Sequence, residues 1–249
     1  MKTERILRTN VTVGSYKNIL EGVCELASTR TSSYVCFANT HMLIEAYDNP
    51  DFAKVVNDAD IVAADGRPLS VFLNLARNAD QERVCGMDVL PDVLREAEQR
   101  GLSVFFYGST DTLLKAMIAR AAKELPRLKI AGWCSPPFRK LTTEENDRIT
   151  ESINASGANL VFVALGCPKQ EQWMASNKGR INACMLGLGQ AFNVYAGVEK
   201  RLPRWMRSLS LEWLYRLYLE PKRLWKRYLY GNAKFLALAG QQLAGRSFT

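Results

Sequence analysis

The chain has a single histidine in 249 residues and no C-x-x-C pair among its six cysteines. Without clustered imidazoles or paired thiols there is no ligand set for a zinc-type site. Cys24, Cys36, Cys85, Cys134, Cys167 and Cys184 are scattered along the chain and read as reduced thiols of a cytoplasmic protein. No run approaches the roughly 18 uninterrupted apolar residues expected of a membrane-crossing helix. The opening Met1-Lys2-Thr3-Glu4-Arg5 lacks the apolar core of a secretion signal. Neither G-x-G-x-x-G nor a Walker A sequence occurs, which argues against a dinucleotide enzyme or a P-loop ATPase. Internal repeats and low-complexity segments are missing too. Acidic residues are scarce in one place: the last fifty positions hold only Glu212 and Glu220.

Against those two stand 11 Lys and Arg, a local balance of +9, which leaves residues 1–199 at −1 within a whole-chain charge of +8. The same segment carries Trp205, Trp213 and Trp225 beside Tyr215, Tyr218, Tyr228 and Tyr230. A near-neutral body with a basic, aromatic tail points to an anionic surface, membrane lipid first. No nucleic acid partner is expected, because the tail has no RNP, zinc-finger or KH signature and its leucines call for an apolar contact. One helix over 211–229 would gather Arg216, Arg223 and Arg227 within about 40° of each other, opposite Leu214, Leu217, Leu224 and Trp225. Pro221 breaks such a helix, so two are expected, over 209–219 and 221–236, with Pro221 at the favoured first position of the second. An ordinary surface helix pair with a solvated basic face accounts for the same pattern.

With 47% hydrophobic and 23% charged residues, the chain fits one large domain or a domain plus an appendage. The division expected is an α/β catalytic domain over 1–199 and a basic, amphipathic, membrane-associating helical appendage over 200–249. Short apolar runs end in glycine or small polar residues and lead into helical patterns. Strands are expected over 34–38, 61–64, 103–107, 160–165 and 184–186, with helices over 42–47, 112–124 and 169–177. This alternation predicts an α/β fold, a Rossmann-like, mostly parallel sheet flanked by helices. Ligands bind such sheets beyond the carboxyl ends of the strands. That rule sets Asn39, Asp65, Gly108-Ser109, Gly166 to Gln170 and Gly187 to Gln190 along one rim. Each glycine turn alone is a weak signal: Gly108-Ser109 could cradle a phosphate or be a plain strand-to-helix turn.

Four segments together resemble the WecG/TagA/CpsF family of bacterial glycosyltransferases. They are Asn39-Thr40-His41-Met42 through Ala64-Asp65-Gly66, then Arg83-Val84-Cys85-Gly86-Met87-Asp88, then Gly166-Cys167-Pro168-Lys169-Gln170-Glu171, and finally Gly187-Leu188-Gly189-Gln190-Ala191-Phe192-Asn193 with Pro203-Arg204-Trp205 and Leu211 to Arg216. Their order and spacing match over roughly residues 35 to 230. The resemblance implies an inverting transfer of sugar from a UDP-sugar to an undecaprenyl-diphosphate-linked saccharide, in bacterial cell-surface polysaccharide synthesis. It implies a protein peripheral on the cytoplasmic face of the cell membrane, with the basic C-terminal part reaching the lipid. A non-catalytic, membrane-associated nucleotide-binding module is the alternative from another class.

Inverting displacement needs a base for the acceptor hydroxyl and help for the departing diphosphate. Asp65 matches the family position taken as the base; an Asp capping the next helix is the plainer account. Asn39 would orient the sugar or the Asp, or simply form a turn, and Phe37 stands where the family often has threonine. Arg83 is the first choice for the leaving diphosphate, since a guanidinium binds it bidentately. Substrate contacts are expected from Thr40, Gly108, Ser109, Gly166, Pro168, Gln170, Gly187, Gly189, Gln190 and Asn193. Arg216 and Arg223 match family arginines proposed to hold the lipid diphosphate, with Lys226 and Arg227 beside them; a Lys there keeps the charge but not the bidentate geometry. No cofactor or metal is expected: Asp58-x-Asp60 resembles a D-x-D metal motif but lies on the approach to a strand, and the family does not use it. His41 reads as structural. The sequence leaves open which sugar is moved and whether the chain forms a homo-oligomer.

Overall fold

A computed structural model describes residues 1–77, 79–203, 206 and 212–248, with the side chains of Arg77, Glu212, Arg216, Arg223, Lys226 and Arg227 outside that description. Among these residues run β1 (Thr3–Ile6), β2 (Thr9–Thr12), α1 (Tyr16–Thr29), β3 (Ser33–Ala38), α2 (Thr40–Asp48), α3 (Pro50–Asn57), β4 (Ile61–Ala64), α4 (Arg67–Arg77) and α5 (Gly86–Arg100). There follow β5 (Ser103–Gly108), α6 (Asp111–Glu124), β6 (Lys129–Cys134), α7 (Thr143–Ser156), β7 (Leu160–Ala164), α8 (Lys169–Asn177), β8 (Cys184–Gly187), α9 (Ala191–Tyr195), α10 (Glu212–Leu219) and α11 (Pro221–Leu243). The eight strands lie in the order β1-β2-β4-β3-β8-β7-β5-β6, parallel throughout except for the antiparallel β1–β2 hairpin. All five expected strands form, each within one residue of its expected bounds.

Alternation along the central strands builds a core layer on each face. In β3, Tyr34, Cys36 and Ala38 join the layer under α2, α3 and α8, whereas Val35 and Phe37 join the one under α1, α5 and α6. Both faces are covered, so past Ser33 β3 is apolar at every position. Phe37 is thus a core residue and is not among those lining the cavity described below. Burial holds the thiols of Cys36 and Cys184 well above their usual range, since a thiolate would be poorly solvated there.

The C-terminal segment packs into the first of these layers. Phe235 and Ala239 of α11, and Phe248 beyond it, are buried with Met42, Leu43 and Ala46 of α2. Lys234 pairs with Asp48, and its ammonium also lies over the Tyr47 ring. Gln242 accepts from Leu7 N–H at 2.9 Å and donates to Arg5 C=O at 3.0 Å, tying α11 to the β1–β2 turn. The chain does divide at Pro221, which begins α11. However, α11 runs seven residues past its expected end, because Leu238, Ala239 and Gln242 continue its inward face. None of the described helices is long and apolar enough to cross a membrane.

Candidate active site

Strands β3 and β4 end side by side, in register at Ala38 and Ala64. Beyond them the backbone N–H of Asp65 donates to Ala38 C=O at 2.8 Å, and Asp65 forms a parallel bridge with Val84. Asn39 follows β3 and caps α2: its Oδ1 accepts from His41 N–H at 3.1 Å and Met42 N–H at 3.2 Å. Gly66, at φ +102°, turns the chain from Asp65 into α4, a conformation that side-chain-bearing residues rarely adopt. These turns leave a cavity of about 230 Å³ lined by Asn39, Thr40, His41, Asp65, Gly66, Arg67, Pro68, Arg83, Cys85, Met87, Trp213, Tyr228 and Asn232.

Asp65 is half-buried at the end of its strand, with its side chain facing the first turn of α5. A Cβ added at Gly86, the first residue of α5, would sit 3.9 Å from Asp65 Oδ2 and 3.1 Å from Leu188 Cδ2. The carboxylate thus lies beside the N-terminal turn of α5, and the tighter limit on a side chain at Gly86 is Leu188. Arg83 immediately precedes the residue bridged to Asp65, so one guanidinium and one carboxylate line the same cavity. Asn39 lines the cavity while its oxygen is committed to α2. A carboxylate, a guanidinium and an amide donor around a small void can accept a proton, hold a phosphate oxygen and orient a hydroxyl.

Other expected site residues form a second group on the same rim. Gly108 (φ +106°) and Ser109 (φ 57°) end β5, and Ser109 N–H donates to Ala164 C=O at 3.0 Å. Gln170 is buried: its Oε1 accepts from Gly166 N–H at 3.2 Å and its Nε2 donates to the wholly buried Glu171 at 2.7 Å. Its amide also fills the space a side chain would need at Gly187 and Gly189, at 3.0 Å and 3.1 Å from a Cβ at those positions. The structure therefore gives Gln170 the part of a clasp between the loops after β7 and β8, beside Pro168, which follows a cis peptide bond. Gln190 and Asn193 both donate to Glu199, Asn193 at 2.8 Å. Gln190 and Glu199 line a smaller recess with Arg201 and Tyr215, and Met87 lines both spaces. Thr40 gives its hydroxyl to Asn232 Oδ1 at 3.0 Å. The side chains of Arg216, Arg223, Lys226 and Arg227 lie outside the described residues.

Asp58 and Asp60 sit at the other end of β4. Asp60 Oδ2 accepts from Tyr34 N–H at 2.9 Å and pairs with Lys178 at 3.0 Å, a strand length from Asp65. His41 lines the cavity with its Nδ1 3.8 Å from Glu45. Sequence reasoning passed over Glu199, Arg67, Met87 and the cavity walls formed by Trp213, Tyr228 and Asn232. Trp213 belongs to a segment that carries the resemblance and Tyr228 to the amphipathic tail, but nothing in their spacing says that they line this cavity.

Comparison with known proteins places nearly the whole chain in one family. The family model described as "Glycosyl transferase WecG/TagA/CpsF family" matches residues 4–248. The chain is 31% identical over 201 residues to a Bacillus subtilis strain 168 protein, covering 80% of this chain and 76% of that one. It is 33% identical over 198 residues to a Bacillus spizizenii protein, covering 79% and 75%. Both relatives are named N-acetylglucosaminyldiphosphoundecaprenol N-acetyl-beta-D-mannosaminyltransferase. With the residues of the cavity and its rim falling inside the matched region, the chain belongs to the WecG/TagA/CpsF family of glycosyl transferases.

Proposed function

We propose that this protein moves a sugar from a UDP-sugar to a saccharide carried on undecaprenyl diphosphate, with inversion at the anomeric carbon and without a metal ion. The observation that carries this reading is a carboxylate at a strand end, Asp65, lining one small cavity with Arg83 and Asn39, in a chain whose relatives are named as transferases of that kind. In the proposed step, Asp65 takes the proton of the acceptor hydroxyl as its oxygen bonds to the anomeric carbon. The bond from that carbon to the β-phosphate oxygen breaks on the opposite face, and UDP departs with the electron pair. Arg83, with Arg67 from the first turn of α4, stabilises the charge that accumulates on the diphosphate. Asn39 holds the attacking hydroxyl through its amide donor. Gln190 and Asn193 line the nucleotide side, their amides set by Glu199.

The acceptor's lipid is served by the C-terminal segment. Trp225, Leu229, Leu236 and Leu243 are exposed and fall within about 40° of one another around α11, while the segment carries a charge of +9. An apolar stripe on a cationic helix fits an anionic lipid surface, and we assign the protein to the inner face of the bacterial cell membrane as a peripheral enzyme. Arg216, Arg223, Lys226 and Arg227 are the proposed ligands of the lipid diphosphate. The test is release of UDP from UDP-N-acetylmannosamine with a short-chain polyprenyl-diphosphate N-acetylglucosamine acceptor. Release that depends on the acceptor, with a product one sugar heavier by mass spectrometry, is expected. Release unaffected by the acceptor, or none across a panel of UDP-sugars, would contradict the reading.

A further inference from the structure

The cavity has two unlike walls. Asn39, Asp65 and Arg83 come from strand ends and carry polar groups, whereas Trp213 and Tyr228 come from α10 and α11. The two rings meet edge to face, centroids 6.1 Å apart at 76°. That contact constrains both rings before any ligand arrives. Trp213 is 44% exposed, so much of the indole is available for contact. The bond from Thr40 to Asn232 fastens α11 to the first turn of α2, which fixes the aromatic wall relative to Asn39. A pyranose has an apolar face of C–H groups and an edge of hydroxyls. It suits a site with an aromatic wall on one side and a carboxylate, an amide and a guanidinium on the other.

We infer that Trp213 and Tyr228 form the platform for the sugar ring of the lipid-linked acceptor, the ring whose hydroxyl Asp65 deprotonates. This rests on the function proposed above and deepens it. The choice of acceptor over donor follows from placement. The helices that supply these rings also carry the exposed apolar stripe on α11 and belong to the segment 200–249 with its +9 charge, so a sugar tethered to lipid enters from their side. The loops after β5, β7 and β8, with Gly108, Gly166 and Gln190, contribute nothing to the lining of this cavity. Its volume, about 230 Å³, is below the roughly 300–1,000 Å³ of sites for larger ligands. That is room for one sugar ring beside the reacting centre.

The experiment uses the full chain as wild type, Trp213→Ala and Trp213→Phe. Its probe is N-acetylglucosamine diphosphate esterified to a short alkyl group, too short to anchor in a membrane. Titration calorimetry without donor is expected to give an affinity for this probe about tenfold weaker in Trp213→Ala, the loss of one stacking contact, with most of it restored in Trp213→Phe. Affinity for UDP should be unchanged in both variants, which also reports that the body is folded. Kinetically the same factor should appear in the acceptor KM and not in the donor KM. Equal affinity of wild type and Trp213→Ala for the probe, no binding by wild type, or a loss confined to UDP would overturn the inference. Wild type that binds the probe as expected but transfers no sugar would sink the proposed function while leaving the platform standing.

Discussion

Asn39 caps α2 through its oxygen, and this explains why turn and site readings of that residue were both open from sequence. The residue does the structural task with its oxygen and also lines the cavity. Gln170 is a different case. Its position after the glycine turn led to an expected donor contact, yet the amide is buried against Gly166 and Glu171, and nothing in the sequence distinguishes a clasp from a ligand. Gly108 is the residue where the backbone speaks most plainly. A Cβ there would lie 2.4 Å from Ala164 O, in the neighbouring strand's backbone, at φ +106°. Gly108→Ala is therefore expected to destabilise the fold by at least about 2 kcal/mol, from strain and from displacement of β7. In a chain of this size that lowers the melting temperature by about 4–8 °C. A melting temperature equal to wild type in a thermal scan would show that the loop between β5 and α6 yields freely.

At the scale of elements, what the sequence made legible was whatever is buried on both faces. β3, β4, β5, β7 and β8 are continuous apolar runs between turn residues, and all appear where the pattern put them. β1 and β2 are four-residue strands of mixed polarity, and β6 is an edge strand half open to solvent. β1 and β6 lack the two-sided burial that gives a run its signature, and in β2 the buried Thr9 and Thr12 are polar. α5 opens at Gly86 and contains Pro91, both poor helix signals. α11 was legible as an amphipathic helix but not as a part of the core, because its inward residues Phe235 and Ala239 look like any apolar face. Truncating it would expose Met42, Leu43 and Tyr47, so its outward stripe is better tested by point changes. Leu229 and Leu236 are 68% and 67% exposed, and Leu229→Ser with Leu236→Ser should leave the melting temperature unchanged. Sedimentation with vesicles containing phosphatidylglycerol should fall severalfold, while turnover of a short soluble acceptor persists. Undiminished sedimentation would remove α11 from the account of membrane contact.

For the whole molecule, one mostly parallel sheet gathers chemistry from distant parts of the chain onto a single rim, and the C-terminal helices complete that rim by supplying a wall of the cavity. Residues 39, 65 and 83 share the cavity because β3 and β4 are neighbours and Val84 bridges to Asp65. Their convergence was legible from the strand-end rule and from the resemblance. The inward turn of Trp213 and Tyr228 was not, since it depends on how α10 and α11 cross the body. The central claim is that Asp65 is the base for a transfer made in this cavity. Its most direct measurement is turnover by Asp65→Asn, which keeps size and hydrogen bonding but cannot take a proton at neutral pH. The account predicts a kcat lower by about 10²–10⁴, with UDP-sugar affinity and melting temperature as in wild type. Turnover within a few-fold of wild type would contradict it.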